Sequence, residues 1–112
     1  MTTPTTSPVS AQPRQQIYLI GPDPHDPANT PLFNQAEDQL LHAGHDVINP
    51  AGIVLAANAT PTDYAKAQAR MVTIAHAAAF VDGWEQDPTA SILTALALCL
   101  RIPVHGLDHY LP

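Results

Sequence analysis

Apolar residues fall along this chain in short bursts separated by turn residues, and the period of the bursts alternates. Ile17 to Ile20 is a β-branched and aromatic run stopped by Gly21-Pro22, which predicts a first buried strand. Thr30-Pro31 has the form of a helix start, with threonine as N-cap and proline at the first helical position. Leu32, Phe33, Ala36, Leu40 and Ala43 follow at helical spacing, Glu37 and Asp38 face outward, and Gly44 ends the helix. His45 to Asn49, closed by Pro50, predicts a second short strand. Gly52 to Thr62 reads as a loop with a turn of helix. Asp63 to His76 predicts a helix with Tyr64, Ala67, Met71 and Ile74 on one side. Ala77 to Val81 predicts a third strand, Pro88 to Leu100 a third helix, and Ile102 to His105 a fourth strand.

Strands alternating with helices of about 10–14 residues predict an α/β fold with a parallel sheet and right-handed crossovers. Residues 1–15 are mostly Thr, Pro, Ser and Gln with almost nothing to bury, and predict a disordered tail. The remainder, 16–112, has the size of one small domain. Between Ala90 and Leu100 only Ser91 and Thr94 are polar. A small domain cannot bury every face of such a helix, so the pattern predicts a homodimer or higher assembly packed through it.

Composition narrows the partners. The net charge is −6, and Arg14, Lys66, Arg70 and Arg101 are the only fixed cations, which argues against a nucleic-acid backbone. Cys99 is alone, so one chain offers no disulfide framework. The apolar run from Ile92 to Leu100 is too short to span a bilayer. The amino end lacks the basic start and apolar stretch of a signal peptide. The expectation is a cytosolic protein with no membrane partner.

The segment Val81 to Ala90 carries the site prediction. It runs from a strand through a tight turn into a helix, and open α/β sheets bind small ligands at that junction. Trp84, the single tryptophan, stands there between Asp82 and Glu85.

Three pieces recur in one order: Tyr18-Leu19-Ile20-Gly21-Pro22, Gly44-His45-Asp46-Val47-Ile48-Asn49-Pro50, and Gly83-Trp84-Glu85 leading into Ala90 and ending at Ile102-Pro103-Val104. Together, over about residues 16–105, they resemble the nucleoside 2-deoxyribosyltransferase-like superfamily, most closely a small, largely uncharacterised phage and bacterial branch. The resemblance implies a Rossmann-like, flavodoxin-type three-layer sandwich with a four- to five-stranded parallel sheet. It implies a dimer or higher, with a nucleoside or nucleotide pocket at the strand carboxyl ends. Enzymes of that superfamily cleave N-glycosidic bonds with a glutamate nucleophile on the third helix and an aspartate on the preceding helix that handles the proton on the base. Laid on this chain, the nucleophile falls on Leu93, the proton-handling aspartate on Gln68 and a further common aspartate on His76. Leucine has no nucleophilic atom and glutamine cannot donate a carboxylic proton, so the expected function is non-catalytic or degenerate binding of a nucleoside or nucleotide derivative, as a sponge or sensor. No cofactor is implied.

The candidate ligand-binding residues are Tyr18, Gly21, Pro22, Trp84, Glu85 and Asp87, each with a plainer role beside it. By resemblance, Tyr18, Gly21 and Pro22 line a sugar pocket and Asp87 bonds a sugar hydroxyl; structurally, Gly21 and Pro22 end a strand and Asp87 is an N-cap ahead of Pro88. Glu85 is either a relocated nucleophile or acid or a solvated turn carboxylate. Trp84 either stacks on a base or closes the core or a dimer interface. Asp23, His25 and Asp26 form a polar loop that touches a ligand or is a solvated connection. His42 with His45, and His105 with His109, have suggestive spacings without a third ligand at a known metal-site spacing, so no metal is assigned. Two further classes stand beside the leading one: an active glycosidase or deoxyribosyltransferase using Glu85, Asp82 or Asp87, and a structural or protein-binding module.

Overall fold

The computed structural model describes residues 14–112. Four strands form one sheet: β1 (Gln16–Ile20), β2 (Asp46–Ile48), β3 (Ala77–Phe80) and β4 (Val104–Gly106). All pairs are parallel, in the order β2-β1-β3-β4, with Tyr18 opposite Ile48 on one side and Ala78 on the other. This is the first four strands of the flavodoxin-type order. Helices α1 (Thr30–His42), α2 (Pro61–Ile74) and α3 (Pro88–Cys99) complete the three layers.

Strand alternation assigns the layers. Ile17 and Leu19 point to the face covered by α1 through Phe33, Ala36 and Leu40, whereas Tyr18 and Ile20 point to the face covered by α2 and α3. Burying side chains of this size contributes roughly 1.5–3 kcal/mol each. The middle of the sheet is thin because β3 begins with Ala77, Ala78 and Ala79, all fully buried. After β4 a 3₁₀ turn, Leu107–Tyr110, folds onto the α1 face, and the Tyr110 hydroxyl donates to the Ala78 carbonyl at 2.9 Å.

Local differences from the expected pattern have identifiable causes. Thr30 is the first helical residue and not the N-cap, because a 3₁₀ turn at Pro27–Asn29 runs directly into α1 and already engages the Thr30 amide. α2 starts two residues earlier than its polar pattern implies. Pro61 takes its first position, and Thr60 and Asp63 cap it reciprocally, with Asp63 N donating to Thr60 Oγ1 at 3.2 Å and Thr60 N donating to Asp63 Oδ2 at 2.9 Å. The buried stripe of α2 runs through Ala67, Gln68 and Val72, which leaves Ile74 63% exposed and outside the expected face. Gly44, at φ +94°, ends α1 in the left-handed turn that favours glycine.

The amino-terminal boundary also moves. Residues 1–13 of the expected tail lie outside the described residues, but Arg14 and Gln15 are held. Asp46 N donates to the Gln15 carbonyl at 2.9 Å, and the Arg14 guanidinium grips the Asp46 carboxylate at 2.7 and 3.1 Å. That pairing holds the Asp46 carboxyl below the usual carboxylate range. Among the described residues, no helix is long and apolar enough to cross a membrane.

Candidate functional site

β1 and β3 are sequence-distant neighbours whose following helices leave toward opposite faces, which makes their carboxyl ends the switch point of the sheet. A cleft of about 340 Å³ opens there. The loop after β1 supplies Asp23, Pro24 and His25, the start of α2 supplies Tyr64, Ala65 and Gln68, and the start of α3 supplies Asp87 and Thr89.

Proline spacing shapes the first wall. Pro22, Pro24 and Pro27 restrict the loop, and Asp23 Oδ1 accepts the His25 amide at 2.9 Å, which turns the chain back toward α2. The His25 ring meets the Tyr64 ring with centroids 3.8 Å apart at 50°, and its Nε2 lies 3.2 Å from Gln68 Nε2. Asp23, Pro24 and His25 thus form one wall of the cleft, while Asp23 and Asp26 remain exposed to solvent. Burial lowers the His25 pKa, against the raising effect of the Asp23 and Asp87 charges.

Asp87 occupies the N-cap position of α3, yet its side chain makes no capping hydrogen bond of good geometry. The Thr89 and Ala90 amides still lie close enough to favour its charged form, as does His25, but burial dominates and, with the Asp23 charge, raises its pKa. Tyr18 stands behind this wall. Its side chain is fully buried on the α2/α3 face, and its hydroxyl is the single buried side-chain polar atom without a partner among the described residues. Burial raises the phenol's pKa strongly, and the Asp87 charge adds to the shift.

The structure divides the six sequence candidates. Asp87 lines the cleft, with Tyr18 beneath it. Gly21 and Pro22 sit at the carboxyl end of β1. A Cβ on Gly21 would meet Phe33 Cζ at 2.8 Å and Val81 Cβ at 3.0 Å, so the close approach of α1 accounts for this glycine. Trp84 and Glu85 line a separate, larger depression of about 660 Å³ with Asp82, Asp108 and residues of α1. There Trp84 stacks on Phe80, with centroids 4.1 Å apart at 19°.

The positions matched to superfamily carboxylates also separate. Gln68 lines the cleft, while Leu93 is 3% exposed within the α2/α3 core. His76 lies at the opposite end of the sheet, where its Nδ1 accepts the Gln16 amide at 3.0 Å. Tyr64 and Thr89 join the site with no sign in their spacing, because only the folded loop after β1 makes them its neighbours. Among the described residues, no three His, Cys, Asp or Glu side chains converge as a metal site.

A family model described as Domain of unknown function (DUF4406) matches residues 15–105. No curated protein and no solved structure matches the chain.

Proposed function

This chain belongs to the DUF4406 family, and from its sequence resemblance to the nucleoside 2-deoxyribosyltransferase-like superfamily we propose that it binds a nucleoside or nucleotide derivative in the cytosol without turning it over. One observation carries the reading. A cleft at the switch point is intact, while the two positions matched to catalytic carboxylates hold an amide bonded to His25 and a leucine sunk in the core. At about 340 Å³ the cleft falls at the lower end of small-molecule sites and suits a nucleoside-sized ligand. Glycosyl transfer needs a carboxylate within reach of the anomeric carbon and an acid at the leaving base, and Leu93 and Gln68 supply neither.

The test is incubation with deoxynucleosides and their monophosphates, following free base by chromatography and binding by calorimetry. The expected outcome is binding with base release no faster than background. The sequence pattern points to Leu93→Glu with Gln68→Asp as the pair to restore turnover, but Leu93 lies in the α2/α3 core and not in the cleft, so the variant is expected to lose stability, read by circular dichroism, without gaining turnover. Wild-type protein that releases base at an enzymatic rate ends this reading.

A specific observation supports a second reading, glycosidic cleavage by a relocated carboxylate. Asp87 is uncapped, lines the cleft and lies near the partnerless Tyr18 hydroxyl, whereas Glu85 is exposed and lines the other depression. In that case Asp87→Asn abolishes base release and Glu85→Gln leaves it unchanged.

A further inference from the structure

The first strand enters the sheet past two imidazoles. The parallel register would carry the Gln15 amide to the Gly44 carbonyl and the Gln16 amide to that of Ala75. Gly44 is the left-handed turn after α1 and Ala75 is the C-cap of α2, so the neighbouring strands start too late to receive these donors. Side chains take them instead. Gln16 N donates to His76 Nδ1 at 3.0 Å, and Gln15 N to His45 Nδ1 at 3.4 Å, the longer and weaker of the two. The carbonyls of the same two residues accept His76 N and Asp46 N, both at 2.9 Å.

A backbone amide can only donate, so each Nδ1 must carry its lone pair and each neutral ring its proton on Nε2. A second proton on either ring sets N–H against N–H and removes the bond. The rings differ in access: His76 is exposed and protonates in place, whereas His45 is 3% exposed and does so only as the segment opens. Three groups face them. The Asp46 carboxylate attracts a charge on His76, the Arg14 guanidinium grips that carboxylate, and the neutral Tyr110 phenol stands edge-on to His45 with centroids 6.3 Å apart. The Asp46 carboxyl lies below the usual carboxylate range, so the Arg14 pair keeps its charges over the range in which histidines titrate. Asp46 therefore offers a protonated His76 a partner other than the Gln16 amide.

We infer that His76 and His45 form an acid-released clasp on the start of β1: neutral rings hold the Gln16 and Gln15 amides, and protonated rings let the entry of the strand go while the rest of the sheet stays paired. The clasp stands at the amino ends of the strands, opposite the cleft, and is independent of what the cleft binds.

The experiment follows the rings and the amides of the full chain by ¹⁵N NMR between pH 7.5 and 5.0. At pH 7.5 both rings are expected neutral, with the proton on Nε2. From there to pH 5.0 the protection of the Gln15 and Gln16 amides against solvent exchange, corrected for its intrinsic pH dependence, falls about tenfold, as for one lost hydrogen bond, while that of Leu19 and Ala79 changes less than about twofold. In His76→Asn an Oδ1 that does not titrate can stand where Nδ1 stood, and Gln16 stays protected at pH 5.0. Either ring carrying its proton on Nδ1 at pH 7.5 overturns the inference. So does protection of Gln15 and Gln16 that stays constant, or that falls no more than at Leu19 and Ala79. Loss of Gln16 protection in folded His76→Asn to the wild-type extent overturns it too; should that variant not fold, the wild-type rings and amides decide.

Discussion

A methyl group on Gly21 would sit 2.8 Å from Phe33 Cζ and 3.0 Å from Phe33 Cε1 and Val81 Cβ, both residues buried in the α1-face core. Gly21→Ala should cost about 1–3 kcal/mol by overpacking, read as a lower urea midpoint at unchanged slope. A change within a few tenths of a kcal/mol would show that α1 can shift and that the glycine serves something else. At this scale the sequence marked Gly21 as a strand end or pocket residue, and the close approach that calls for a glycine lay 12 residues away in Phe33. Asp87 is similar: its place before Pro88 reads as a cap, and only the folded cleft shows a carboxylate without a good capping bond.

At the scale of elements, α3 leaves an apolar side uncovered. Its inner side is Ala90, Leu93 and Ala97, and Leu96 is half-buried against the same core. The uncovered side carries Ile92 at 68% exposure and Leu98 at 61%. Leu96→Glu is therefore expected to destabilise the fold itself and would not report cleanly on association. Ile92→Glu with Leu98→Glu should leave the fold intact and reduce the mass seen by light scattering from at least twice the 11.9 kDa chain to once. Wild-type protein that is already monomeric at micromolar concentration would refute the assembly. Helical periodicity correctly showed that one domain could not cover this helix. It did not show which residues face out, because Leu96 and Leu98 look alike in the sequence and differ only in their angle to the sheet.

Over the whole molecule, two phenols are buried on opposite faces of one sheet. Burial raises Tyr110 from an ordinary value of 10.0 to about 12, and Tyr18 is raised further. For a group that is neutral when protonated, a raised folded value means the unfolded chain ionises first. Stability should thus be flat up to about pH 10 and fall as pH rises from there through 12, since the unfolded state loses protons that the folded state keeps. Urea midpoints measured from pH 8 to 11 test this. Tyr18→Phe should soften the fall at little cost, because its hydroxyl makes no hydrogen bond to lose. A midpoint that holds through pH 11 would mean that the buried phenols do not control it.

The sequence alone determined the order and type of the elements. Strand runs such as Ile17 to Ile20, the helical spacing from Leu32 to Leu40 and the stops at Gly21-Pro22 and Gly44 are local signals, set by backbone sterics and side-chain period. It also pointed to the carboxyl end of β3 as the place for a candidate site, since a strand, tight turn and helix in succession produce a concave junction wherever they occur. Tertiary structure decided the membership of the cleft. It set Trp84 and Glu85 in one depression and Asp87 in another, although only Gln86 stands between Glu85 and Asp87 in the chain. It brought His25 against Tyr64 and against Gln68, 43 residues away. Such contacts depend on where a proline-restricted loop lands against a helix from another part of the chain, and no local period encodes that distance.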